Sequence, residues 1–135
     1  MSLTVRVVAP DKTVWDAEAE EVILPSTTGQ LGILSGHAPL LTALEVGVMQ
    51  VRPEKDWMKI ALMGGFAEVE NNEVTFLVNG AERGDAIDLD SARTAFESAK
   101  ASLDATSSED QQATMKATTT FRQARARFQA AGGVA

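Results

Sequence analysis

Apolar and polar positions alternate from the third residue onward. Leu3, Val5 and Val7 are interleaved with Thr4, Arg6 and Val8, the period of two expected of a half-buried strand. Pro10-Asp11-Lys12 reads as a turn, and Val22-Ile23-Leu24 as a short buried run closed by Pro25 and a Ser-Thr-Thr-Gly loop. The runs GVMQVR (47–52), WMKIALM (57–63), FAEVE (66–70) and EVTFLV (73–78) follow, separated by short polar or glycine punctuation. Asn71-Asn72 lies between two alternating runs and predicts a hairpin turn, because asparagine tolerates positive φ. Gly64-Gly65 predicts a bend or bulge where the backbone passes close to a neighbour. About eight or more short strands at this spacing make residues 1–86 a small β-sandwich or flattened barrel.

The period changes near residue 87. Ala92, Ala95/Phe96, Ala99 and Leu103 step by three and four, which is the face of a helix that Asp88 or Asp90 can cap. Residues 104–108 break it, and Ser108 with Gln111 reads as a capping box for a second helix. Ala113, Ala117, Phe121, Ala124, Phe128 and Ala131 form a second apolar seam, ended by Gly132-Gly133. So short a break makes residues 87–135 an antiparallel two-helix hairpin. Its seams are mostly alanine, and Thr118-Thr119-Thr120 costs about 0.5 kcal/mol per residue against alanine in a helix interior. The hairpin is therefore either a permanently docked accessory or a weakly held element that opens.

Charge sharpens this division. Residues 1–86 hold 6 basic and 13 acidic side chains, which is the whole net charge of −7, and residues 87–135 hold 6 of each. Residues 116–135 carry Lys116, Arg122, Arg125 and Arg127 and no acid. That basic end either docks on an acidic surface or is a solvated helix face. A net negative chain argues against nucleic acid, since phosphate binding needs clustered cations. Without cysteine and with one histidine, disulfide frameworks, zinc and copper sites are not expected. No apolar run approaches the ~20 residues of a membrane span, and the N-terminus lacks the layout of a signal peptide. No phosphate-binding loop, dinucleotide fingerprint, metalloprotease motif or nucleophile elbow occurs. The chain is not expected to be an enzyme, and no catalytic residue, metal or cofactor is expected.

The most informative segment is GQLGILSGHAPLLTAL, residues 29–44, with His37 bracketed by Gly36 and Pro39. Glycine and proline dihedrals imply a loop of one shape at a strand-to-strand junction, and a lone histidine there suits a structural or contact role. This segment, TVWDAEAEEVILP (13–25), WMKIALMGGFAEVENNEVTFLVNGAER (57–83) and the alanine-rich C-terminus resemble, in order, the epsilon subunits of F-type ATP synthases. The wording WDAEAEE and ALMGGFAEVENNE is most similar to the photosynthetic, thylakoid branch.

The resemblance implies a non-catalytic central-stalk subunit, peripheral on the thylakoid membrane and facing cytoplasm or stroma, that inhibits ATP hydrolysis through its helices. It implies that residues 1–86 bind the gamma subunit and the membrane rotor ring of c subunits, with Gln30, Ser35 and His37 in the ring contact. The family often has Glu at the position of Gln30 and Pro at that of Ser35. It further implies that Arg122, Arg125 and Arg127 approach an acidic segment of the catalytic beta subunit. In some bacterial members an Ile/Leu-Asp-x-x-Arg-Ala motif helps to hold ATP. Asp90 and Arg93 match it, Glu82 and Arg127 resemble its companions, and Thr94 and Gln123 depart from it. On the residues alone, Asp90 and Arg93 read instead as an N-cap with a local ion pair. The alternative reading from another class is a free-standing module that senses ATP between hairpin and sandwich.

Overall fold

The computed structural model describes residues 2–135. Eight strands precede two helices: β1 (Leu3–Ala9), β2 (Lys12–Ala19), β3 (Glu21–Ser26), β4 (Gly29–Leu34), β5 (Leu40–Arg52), β6 (Met58–Glu70), β7 (Glu73–Val78), β8 (Ala81–Arg83), α1 (Leu89–Ala105) and α2 (Gln111–Ala130). A single 3-10 turn, Gly84–Ala86, joins β8 to the helices. The strand order is β2-β1-β7-β6-β5-β3-β4, with β8 also on β6. Pairing is antiparallel except for β1 beside β7. The path folds over on itself into a β-sandwich. Leu3, Val5 and Val7 of β1, Val22 and Leu24 of β3, Ile33 of β4 and Phe76 of β7 belong to one core, all fully buried.

The alternation predicts the faces well. In β1 the odd positions are buried. Asn71 and Asn72 have φ of 51° and 62°, the left-handed pair of a two-residue hairpin turn. The run beginning at Gly47 is longer than expected: β5 starts at Leu40 and continues to Arg52. The runs at 57–63 and 66–70 form one strand, β6, carried through the glycines. Gly64 and Gly65 have φ of 82° and 142°. A Cβ on Gly65 would collide with the Leu77 carbonyl oxygen, so backbone does pass close there. Ile60 and Leu62 face the core before the pair, and Ala67 and Val69 after it. A local irregularity thus exchanges inner and outer faces.

Asp88 caps α1 by accepting from the Ser91 N–H. The second cap differs from the expected Ser108 box: Asp110 accepts from the Ala113 N–H at 3.0 Å. The helix starts at Gln111, so Asp110 alone occupies the position from which a side chain reaches the third helical amide. A second apolar cluster joins the helices to the sandwich. Ala61, Ile87, Ala92, Ala126, Phe128 and Ala130 form it, with Val46, Val48, Met63, Leu89 and Phe96 packed around.

Candidate functional site

Two surfaces and one internal joint carry the residues singled out above. The first surface is the loop after β4. Gly36 takes a φ of 86°, and its N–H donates to the Asn72 side-chain oxygen at 2.7 Å. The β6–β7 turn therefore clamps the loop. The His37 N–H donates to the Leu34 carbonyl, and its ring Nδ1 lies 2.6 Å from the Ala38 carbonyl oxygen. A carbonyl only accepts, so Nδ1 carries the proton and Nε2 is left to solvent. His37 is exposed and Ser35 half-buried. Gln30 is also exposed but stands at the other end of β4, beside the cleft that holds Gly133, Val134 and Ala135. The fold thus brings Ser35 and His37 together and leaves Gln30 about 16 Å along the strand, at ~3.3 Å per residue.

The second surface was not predicted. Phe66 and Leu77 sit directly opposite each other on β6 and β7 and are 58% and 59% exposed. Val8 continues the row opposite Leu77 and Ala43 opposite Phe66. Exposed apolar side chains grouped in this way mark a contact surface, whereas scattered ones do not.

The joint is where α2 meets the sheet. Only its C-terminal half is buried there, through Ala126, Phe128 and Ala130. Phe128 stacks on Phe96 at 5.2 Å, and Phe96 also meets Phe121 at 5.5 Å. Gly84 permits the approach, since a Cβ would collide with the Ala130 carbonyl oxygen. The Arg127 Nε and Nη2 donate to the two carboxylate oxygens of Glu82 at 3.0 and 3.1 Å. Their side chains remain 35% and 43% exposed, so this ion pair is worth about 0.2–1 kcal/mol. Arg93 pairs with Asp90 at 2.9 Å within α1, and its guanidinium lies 5.8 Å from the Phe128 ring centre. Arg125 covers Phe121 at 5.2 Å, and Arg122 is exposed. Of the proposed nucleotide set, Glu82 meets Arg127 and Asp90 meets Arg93, each cation already holding a carboxylate. Thr94 donates its hydroxyl to the Asp90 carbonyl, and Gln123 is half-buried. Among the described residues no group of three metal-ligating side chains forms.

A sandwich that presents an apolar row and a clamped loop, with a helical pair held at one end, is an architecture of assembly. Residues 2–84 match the family described as ATP synthase, Delta/Epsilon chain, beta-sandwich domain, and residues 85–132 match ATP synthase, Delta/Epsilon chain, long alpha-helix domain. Relatives named "ATP synthase epsilon chain" are 72% identical in Thermosynechococcus vestitus over 99% of this chain and 98% of that one. The Nostoc punctiforme relative of that name is 70% identical over 99% of both chains. The chain belongs to the epsilon-subunit family of F-type ATP synthases. Its fold is similar to a chain of the Euglena gracilis mitochondrial ATP synthase OSCP/F1/c-ring structure. The TM-score is 0.80 at 20% identity, covering 96% of this chain and 81% of that one. It is also similar to a chain of the Tetrahymena thermophila mitochondrial ATP synthase central stalk/c-ring structure, with a TM-score of 0.62 at 14% identity and 96% of each chain covered.

Proposed function

We propose that this chain is a non-catalytic central-stalk subunit that links the gamma shaft to the membrane rotor ring and restrains ATP hydrolysis through residues 87–135. Membership of the epsilon family supports the stalk assignment, as does likeness to chains solved within F1/c-ring and central stalk/c-ring assemblies. The apolar row of Val8, Ala43, Phe66 and Leu77 is the surface offered to gamma. The loop with Ser35 and His37 faces the ring. No helix among the described residues is long and apolar enough to cross a membrane. Cyanobacterial relatives support a peripheral position at the thylakoid membrane, on the side of the catalytic head.

The observation that carries the inhibitory role is the one-ended docking of the hairpin. The Ala126–Ala130 turns lie on the sheet, while Met115 toward the other end of α2 is 70% exposed. The joint buries only Phe128 and Ile87 among large side chains, beside four alanines and one half-exposed ion pair, which makes it weak enough for a partner surface to shift. Arg122, Arg125 and Arg127 are the charges that would meet an acidic segment of the catalytic beta subunit in the opened state. The test is steady-state ATP hydrolysis by reconstituted head and gamma, with the full chain, with a truncation ending near residue 86, and with all three arginines changed to alanine. The full chain should inhibit, the triple variant less, and the truncation not at all while still co-eluting with gamma. Equal inhibition by full chain and truncation removes the helices as the inhibitory element. Loss of gamma binding in the truncation, with retention of fold, removes the assembly reading. Phe66→Glu with Leu77→Glu should abolish co-elution.

A further inference from the structure

The polar tie between α2 and β8 joins the same cation that the inhibitory reading gives to a partner. Among the described residues it is the one ion pair that links hairpin to sandwich, because the others lie within the sandwich, within the 3-10 connection or within α1. The neighbours of Arg127, Ala126 and Phe128, are both buried against the sheet. Docking of the last turns of α2 therefore keeps the guanidinium within reach of Glu82, and lifting them carries it away. Glu82 is held firmly in turn, since β8 pairs with β6 and sets it opposite the buried Ala61. The contact is two parallel N–H···O bonds, the geometry an arginine would form with any carboxylate.

We infer that Glu82 stands in for the partner's carboxylate: it holds Arg127 while the hairpin is docked and yields it when α2 meets an acidic protein surface. This rests on the inhibitory reading above. One guanidinium then serves two mutually exclusive contacts, and the internal carboxylate competes directly with the partner. The pair is half-exposed, so water reaches it and the exchange needs no burial of an unpaired charge. Gly84 sets the other half of the latch. Its missing Cβ lets the Ala130 carbonyl approach, and a side chain there would act as a wedge that carries no charge.

The two ends of the ion pair should consequently behave oppositely, which a merely structural tie would not do. Three full-length variants test this: Glu82→Gln, Arg127→Ala and Gly84→Ala. The first readout is the undocked population of the isolated chain, measured by energy transfer between dyes on Glu18→Cys and Gln112→Cys. Both positions are exposed and the protein has no native cysteine. All three variants should raise that population, about two- to fivefold for the charge variants. The second readout is inhibition of ATP hydrolysis by head and gamma. Glu82→Gln and Gly84→Ala should inhibit more than the parent chain, and Arg127→Ala less. If Glu82→Gln and Arg127→Ala move inhibition in the same direction, the pair is structural and the exchange is wrong. An undocked population unchanged by Glu82→Gln overturns the latch by itself, whatever the inhibition shows. Absence of inhibition by the parent chain overturns the functional reading and the exchange with it.

Discussion

Phe128→Ala should free the hairpin from the sandwich without unfolding the sandwich. Phe128 is 6% exposed and belongs to the second cluster, whose other buried members are Ile87 and four alanines. Each alanine contributes one methyl, about 0.8 kcal/mol when fully buried, against roughly 1.5–3 for a phenylalanine. The phenyl ring is therefore the largest buried side chain that α2 brings to the joint. Truncation of a core phenylalanine costs about 3–5 kcal/mol once the cavity is included. The lower end applies here, because Gly133 already lies against the ring and the tail can settle into the space. A loss of about 3 kcal/mol shifts the docking equilibrium by about two orders of magnitude. The main core shares no residue with this cluster. Both tryptophans lie outside the helices, Trp15 in β2 and Trp57 beside β6. Tryptophan fluorescence during denaturation consequently reports the sandwich, and amide hydrogen exchange reports the helices. Exchange in α1 and α2 should accelerate by about the factor above, with the fluorescence midpoint nearly unchanged. If the fluorescence transition weakens by the same free energy, the chain is one cooperative unit and the reasoning fails. Unchanged helix exchange would show that the alanines hold the joint without the ring.

Asp110→Ala should destabilise α2 by about 1 kcal/mol through loss of its cap, whereas Ser108→Ala should leave helix content unchanged by circular dichroism. Asn72→Gly keeps the turn conformation but removes the acceptor for Gly36. The strand pair should persist while the Gly36 amide exchanges faster, and a Gly36 amide as protected as before would show that the clamp is unimportant. The isolated chain should bind ATP no better than about millimolar, close to −4 kcal/mol, because Arg93 and Arg127 each already hold a carboxylate. Saturable micromolar binding by calorimetry, abolished in Arg93→Ala, would overturn that.

Most of the fold was legible because local rules and tertiary demands agree. Alternation set the buried positions of β1 and β7, and two asparagines in sequence announced a turn whose φ angles they tolerate. Reading failed where the reason was non-local. Gly64-Gly65 reads as punctuation between strands, yet neighbouring strands on both sides hold β6 together through it. β8 is three residues long and shows no pattern of its own. It is a strand because Ile60–Leu62 offers it an edge. Glu82 could therefore be read only as an acid near a motif, and its contact with Arg127, 45 residues away, is invisible in any local window. The seam of α2 was half correct for a similar reason. Phe121 and Phe128 meet α1 through Phe96, as the helical period implies. Ala126 and Ala130 are buried too, since near its C-terminus the helix also lies on the sheet.

That second face separates two motions that a weak hairpin could make. Lifting α2 from the sheet breaks the contacts of Ala126, Phe128 and Ala130 and the Glu82 tie, and can leave Phe96 against Phe121. Parting α1 from α2 breaks the Phe96 ring contacts and the alanine seam instead. Phe128 is common to both, because one edge of the joint and one end of the seam converge on it. The threonine triplet precedes the stretch of α2 buried on the sheet, and Thr118 and Thr119 bond back to the carbonyls of Thr114 and Met115, so it bears on helix stability and on the second motion. A substitution at Glu82 or Gly84 acts on lifting alone. If inhibition follows those two variants, the swing of an intact helical pair is the step the partner drives, and the alanine seam serves to let the pair part afterwards.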